Sequence, residues 1–257
     1  MGFLNINGVP DTSRDHHPLK LQHLSTLLHH HDIFALNETR TDDLSRLAPY
    51  LSGHVVVQKT DASPGRPGSG IAVLARPRVA DFMSVIHFTD FSVWVRCGKQ
   101  LWGLDDDVML GAVYVPPQST HFSSSCVSEH LMTLFEEVLC ASQASNHVLL
   151  LGDFNAKIGT LDEVADAHSP VLGSFPCLQR QRRSEFSVVN TAGTLLVDLA
   201  SAAGLIICTG RASGDDGQAS YFHSRHGVYY PCSRPDHLLL SSSLFVAVRE
   251  CYVKPIV

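Results

Sequence analysis

No run of roughly eighteen apolar residues occurs in this chain, and no charged-then-apolar leader opens it, so neither a membrane-spanning helix nor a signal peptide is expected. Cys-x-x-Cys spacing is missing as well. The seven cysteines (Cys97, Cys126, Cys140, Cys177, Cys208, Cys232 and Cys251) are odd in number and scattered, which argues for reduced, mostly core residues rather than a disulfide framework. No His-Glu-x-x-His spacing is found among the fifteen histidines, and His29-His30-His31 follows a helical apolar pattern, so solvated helix-end residues are expected there rather than metal ligands. Positive charge is not in excess. A formal charge of -6 excludes a protein that coats nucleic acid by bulk electrostatics, and any DNA contact must be focused on a local basic face. Internal repeats and low-complexity linkers are absent too. The expectation is an intracellular protein of the nucleus or cytoplasm, with no membrane partner.

What is present suits a single domain over residues 1–257. With 44% hydrophobic residues in 257, the chain can bury a sizeable core. Strands are expected at Phe3–Ile6, Ile33–Leu36, Val55–Val57, Ile71–Leu74, Phe91–Cys97 and Val108–Val115, then at Val148–Leu151, Leu205–Cys208, Ser220–Phe222 and His237–Leu240. Helices are expected from Pro18 through Leu28, as a short polar piece over Thr41–Tyr50, and from Cys126 to Leu139. Another runs through Leu195, Leu196 and Leu199 to a stop at Gly204. Asp105-Asp106-Asp107 reads as a solvated turn. The irregular segment 157–187 reads as a surface loop, in which the basic cluster Arg180, Arg182 and Arg183 could contact DNA. Strands in adjacent runs fit two packed sheets flanked by helices better than a doubly wound parallel sheet.

The chemistry sits at strand ends. Gly152-Asp153-Phe154-Asn155-Ala156 directly follows the apolar run Val148-Leu149-Leu150-Leu151. With a period of two, Asp153 and Asn155 point to one side and Phe154 into the core, although an Asx turn closing the strand is the plain alternative. Three other stretches leave strands in the same way: Asn5-Ile6-Asn7-Gly8, Asn37-Glu38-Thr39, and Ser233-Arg234-Pro235-Asp236, while Tyr114 ends a further strand. If these ends converge, three carboxylates (Glu38, Asp153, Asp236), three amides (Asn5, Asn7, Asn155) and one phenol share a cleft. Such an oxygen-rich set suits Mg²⁺, which is satisfied by one or two carboxylates, waters and a substrate phosphate.

The order Asn-x-Asn-Gly, Asp32-Ile33-Phe34-Ala35-Leu36-Asn37-Glu38-Thr39, Tyr114-Val115-Pro116-Pro117, Gly152-Asp153-Phe154-Asn155-Ala156-Lys157 and Ser233-x-x-Asp236 resembles the endonuclease/exonuclease/phosphatase superfamily along essentially the whole chain. Leu104-Asp105-Asp106-Asp107-Val108 and the stretch Asn190…Gly193…Leu195-Leu196-Val197-Asp198 resemble, within it, the apurinic-type endonuclease domain of non-LTR (LINE-type) retrotransposons. The resemblance implies an α/β fold, a four-layer α/β/β/α sandwich of two mixed, mainly antiparallel sheets. It further implies metal-dependent phosphodiester cleavage with Mg²⁺, or Mn²⁺ in its place. Glu38 then matches the metal-binding glutamate, with Asn5 and Asn7 as the polar pair beside the metal. Tyr114 matches the phosphate-contacting tyrosine, and Asp153 and Asn155 the water-orienting acid and its amide. Asp236 matches the aspartate that bonds a catalytic histidine. DNA is the implied partner of a monomeric enzyme, linked covalently or functionally to a reverse transcriptase in the parent element.

Departures from the pattern carry their own expectations. Asn37 stands where the family has glutamine, and Pro235 and His237 flank Asp236 where aliphatic and aromatic residues are customary. The closing Ser-Asp-His of the family is not found in the 257 residues. Asp236-His237 does not supply it, because Ser233 and Leu238-Leu239-Leu240 match the earlier element. The expectation is a domain incomplete at its C-terminus with weak or absent cleavage, since losing a positioned acid or base removes ~10²–10⁴ in rate. Two other readings stay open: a phosphatase or phosphodiesterase of the same superfamily acting on small phosphoesters, and a non-catalytic, domesticated or fragmentary nucleic-acid-binding protein.

Overall fold

In a computed structural model, residues 1–6, 18–41, 43–60, 70–117, 124–163, 181–225 and 228–252 are described. The chain divides into two compact units, Met1–Tyr114 and Val115–Val257. Among the described residues no helix is long and apolar enough to cross a membrane.

The first unit opens with β1 (Gly2–Asn5), α1 (Pro18–His29) and β2 (Ile33–Asn37), followed by a 3-10 turn over Ser45–Tyr50. Then come β3 (Val55–Lys59), β4 (Ile71–Ala75), the single-turn α2 (Pro77–Ala80), β5 (Met83–Phe88), β6 (Ser92–Cys97) and β7 (Val108–Tyr114). Strands β1, β2, β4 and β3 lie side by side in that order, with β1 parallel to β2 and the other pairs antiparallel. The parallel pair needs a crossover, and α1 supplies it. Leu21, Leu24, Leu27 and Leu28 of α1 pack on Phe34, Leu36, Ala72 and Leu74. The opposite face of β2 and β4 lies against β6 and β7. Burial on both faces is why Ile33–Asn37 and Ile71–Ala75 read as unbroken apolar runs rather than alternating ones.

Strand β5 escapes the pattern reading. Its Val85, Ile86 and Phe88 are exposed, and a register shift between Val85 and His87 breaks the alternation that would have marked it. Pairing with β6 is what makes this stretch a strand.

The second unit holds α3 (Ser124–Ala144), β8 (His147–Asp153), α4 (Thr191–Ala202), β9 (Leu205–Ile207), β10 (Tyr221–Arg225), β11 (Val228–Ser233), β12 (Asp236–Ser241) and the single-turn α5 (Ser242–Phe245). Strand β12 pairs antiparallel with β8 on one side and β9 on the other, while β10 and β11 form a separate hairpin. Helices α3 and α4 pack on each other, α3 also on β8 and α4 on β9. Gly204 takes up φ +66° just past α4, as its stop position requires. Strand β11 is the second strand that the sequence pattern did not mark. The fold is thus the expected α/β class, with mixed sheets and, among the described residues, no closed barrel.

Two expectations need correction. The described parts of segment 157–187 are not a loosely attached surface loop. Glu163 is buried and receives Arg182 at 2.5 Å, Arg211 at 3.2 Å and the Ile207 N–H at 2.7 Å. Arg211 also pairs with Asp162, and Arg234 with buried Asp215. Pairing with one another lets these charges be buried, although the Nε atoms of Arg211 and Arg234 meet no acceptor among the described residues, and it ties the described ends of the segment to β9. The described cysteines are all free, but only Cys97 and Cys208 of the five are buried, so the described thiols are not mostly core residues.

Candidate functional site

In the first unit, Asn5 and Glu38 come together because β1 and β2 are parallel and in register, with Asn5 opposite Asn37. The Asn5 amide Nδ2 donates to Glu38 Oε1 at 2.9 Å. Beyond the end of β2 both Glu38 (φ +53°) and Arg40 (φ +55°) adopt the left-handed conformation that costs a side chain with a Cβ energy. The curl between them brings residues i and i+2 to one side, and Arg40 Nη2 reaches Glu38 Oε2 at 2.6 Å. Each carboxylate oxygen therefore carries a donor. Lys20, in the first turn of α1, feels both charges: burial and then Arg40 hold its ammonium below the usual value, and Glu38 partly opposes them. Asn37, the residue that departs from the family's glutamine, is fully buried and donates to the Val113 carbonyl at 2.6 Å, fastening β2 to β7. Tyr114 is buried at the end of β7. Asn7 lies outside the described residues.

In the second unit, β8 and β12 place Asp153 and Asp236 directly opposite each other. Opposed residues of an antiparallel pair share a face, and like charges there repel. Burial first, and the neighbouring Asp153 charge second, push the Asp236 carboxyl up to about 8. Its Oδ1 meets no hydrogen-bond donor among the described residues, the Ser220 hydroxyl lying near but outside bonding geometry. Next to it, His237 turns to the other face, bonded through Nδ1 to the Thr209 hydroxyl at 3.0 Å and through Nε2 to the Ala156 carbonyl at 2.8 Å. Burial lowers its imidazole to about 3, so it is neutral.

The strand exit after Asp153 combines both sequence alternatives. Phe154 is fully buried, as expected, and its N–H bonds the Pro235 carbonyl at 3.1 Å. The alternation does not continue to Asn155, which sits at φ +46° because Asp153 Oδ1 accepts its N–H at 2.9 Å, an Asx-type turn. Asn155 Nδ2 is then anchored to the Val115 carbonyl at 2.8 Å. Asn190 clamps this exit onto α4: its Oδ1 accepts from Lys157 N and Gly193 N at 2.9 and 2.8 Å, and its Nδ2 donates to the Asn155 carbonyl at 2.9 Å. A Cβ on Gly193 would meet the Lys157 carbonyl oxygen at 2.0 Å, which gives a packing reason for the Asn190…Gly193 spacing.

The arginine cluster is dispersed. Arg182 is buried, and its guanidinium is consumed by Glu163 and the carbonyls of Leu161, Ile207 and Thr209, so a DNA contact through it is corrected to a structural role. Arg183 is exposed beside Asp216 at 3.1 Å, and Arg180 lies outside the described residues. An open pocket of about 40 Å³ in this unit is lined by Lys157, Arg183, Arg234 and His237 among others; Asp153 and Asp236 do not line it. Arg40 and Lys20 were not singled out by sequence. A cation two residues after an acid at a strand exit was the available signal.

The family model for the endonuclease/exonuclease/phosphatase family matches residues 2–256. Solved structures with similar folds include the endonuclease domain of TRAS1, a telomere-specific non-LTR retrotransposon (16% identity, 94% of this chain and 84% of that one, TM-score 0.54). The 3′-5′ exonuclease NExo from Neisseria meningitidis is similar at 15% identity over 97% and 89% of the two chains, TM-score 0.61. A mannosyl-6-phosphatase from Bacteroides thetaiotaomicron is similar at 13% identity over 93% and 84%, TM-score 0.53. No curated protein matches the chain. On its sequence, the chain belongs to the endonuclease/exonuclease/phosphatase family.

Proposed function

We propose that this protein is a divalent-metal-dependent DNA endonuclease of retrotransposon origin, hydrolysing a phosphodiester bond. The observation that carries the reading is the Asn5–Glu38 pair at adjoining strand ends. Its donor set is all oxygen, a carboxylate and an amide carbonyl, which fits a hard cation such as Mg²⁺ or Mn²⁺ that completes its shell with water and phosphate. When bound, the cation supplies polarisation of a phosphoryl oxygen and neutralisation of developing charge. Glu38 with Asn5, and Asn7 by the family pattern, would hold it. Asp153, fixed by the turn it forms with Asn155, orients the attacking water and takes its proton. Asn155 and Tyr114 steady the phosphate. Asp236, with an oxygen bare of donors, suits an imidazole N–H or a proton at that position. DNA as the substrate rests on the LINE-type motifs, and so does any link to a reverse transcriptase.

The likeness to a sugar-phosphate phosphatase favours a second reading, a small-phosphoester hydrolase. A plasmid-nicking assay beside a panel of small phosphoesters separates the two. Mg²⁺-dependent nicking that is lost in Glu38→Ala is expected. Turnover of small esters alone would transfer the assignment to the second reading, and DNA binding without turnover to a non-catalytic protein.

A further inference from the structure

Glu38 is not a bare carboxylate. One oxygen accepts from Asn5 and the other is closed by Arg40 at 2.6 Å, while Lys20 stands near enough to feel both. Two cations of the described residues thus act on one acid, one of them in direct contact with it. The Arg40 side chain is about one-third exposed (35%), whereas that of Glu38 is largely covered (13%). Arg40 can therefore move away into solvent, and Glu38 cannot. Its Nε is buried and meets no acceptor among the described residues, so the guanidinium is held mainly by the ion pair it makes. The backbone favours the pairing as well, since the left-handed turns at Glu38 and Arg40 are what put an i, i+2 pair in contact.

We infer that Arg40 is the counterion that a divalent cation must displace from Glu38, so that Arg40 sets the metal affinity of this protein and keeps Glu38 charge-compensated without metal. The inference rests on the reading of Glu38 as the metal-holding acid. An arginine does not deprotonate at any working pH, so the competition is between two permanent cations and is decided by geometry and desolvation. A monovalent fork gives way to a divalent ion, at the cost of one ion pair. Lys20 adds to the same opposition through its charge.

The test is Mn²⁺ binding to the full 257-residue chain, followed by electron paramagnetic resonance of the free ion, in wild type and in Arg40→Gln, Arg40→Lys and Glu38→Gln variants whose folding is checked by circular dichroism. Removing the competing charge should tighten Mn²⁺ binding by about tenfold or more. Arg40→Lys, which keeps the charge, should stay within a few-fold of wild type. Lys20→Gln should tighten it by a smaller factor. Combining Glu38→Gln with Arg40→Gln should abolish the gain. Unchanged or weaker binding in Arg40→Gln would overturn the inference while leaving Glu38 as the metal residue. If Glu38→Gln instead leaves Mn²⁺ binding intact in both backgrounds, the metal reading of Glu38 fails and the inference with it.

Discussion

Two acids of the second unit, Glu163 and Asp236, are placed in opposite circumstances. Glu163 has two arginines and a backbone N–H on its oxygens. Asp236 has another acid across the strand pair and a bare Oδ1. Burial is a cost for both, and only the first has it offset by partners. The contrast teaches that a fold can spend buried charge in two ways. Where every hydrogen bond is complete, the charge organises the chain; where one is left open beside a like charge, the group is raised in pKa and suited to chemistry. The Glu38 pair in the first unit stands between these extremes: its oxygens are satisfied, but by a partner that solvent can take away.

Breaking the satisfied end of the comparison should have the largest effect. Glu163→Gln leaves Arg182 with one buried charge uncompensated and weakens Arg211, so denaturant unfolding should show a loss of about 3–5 kcal/mol. A variant within about 1 kcal/mol of wild type would mean that the network is not what holds residues 161–163 and Arg182 in place.

The unsatisfied end should respond in the opposite sense. Asp236 binds its proton more tightly folded than unfolded, so its charge weakens the folded state progressively as pH rises from about 4 to about 8. In chelator, Asp236→Asn should therefore be more stable than wild type by several kcal/mol at pH 9, with the gap closing towards pH 4. His237 works against this slope on the acid side. Its folded value near 3 lies below the unfolded one, so stability falls as pH drops below about 6.5. The two slopes oppose each other between about pH 4 and 6.5, so wild type should be most stable there, and Asp236→Asn should remove the alkaline fall and uncover the acid slope up to about 6.5.

The smallest effect sharpens the comparison with a neutral clamp. Asn190→Ala removes the cap of α4 and two bonds to the Asp153 exit, for a loss of about 1–2 kcal/mol in thermal or denaturant melts. If nicking falls much further than stability does, Asn190 acts by positioning the Asp153–Asn155 turn.

Much of the fold was legible. β2, β4, β7 and β8 are buried on both faces, and a run of apolar residues is enough to announce such a strand. Helix α1 and the stop of α4 at Gly204 followed from spacing and turn chemistry. Strands β5 and β11 were not legible, because an edge strand with exposed apolar residues and a hairpin away from the core satisfy no burial pattern. The site residues Glu38, Asp153, Asn155 and Asp236 were visible as polar residues at strand ends. Which groups hold them was not. Arg182 looked like a surface cation and is buried, and Arg40 drew no notice although it closes on Glu38.

By itself, the amino-acid sequence determined the family, the order of the strands that carry the polar ends, and the class of chemistry those ends suit, because apolar periodicity and short polar motifs are local properties. The state of each charge was decided only in the tertiary structure. Whether an acid is paired, opposed or bare depends on strand register and on residues distant in sequence: Asp236 faces Asp153 across 83 positions of chain only through the β8–β12 pairing.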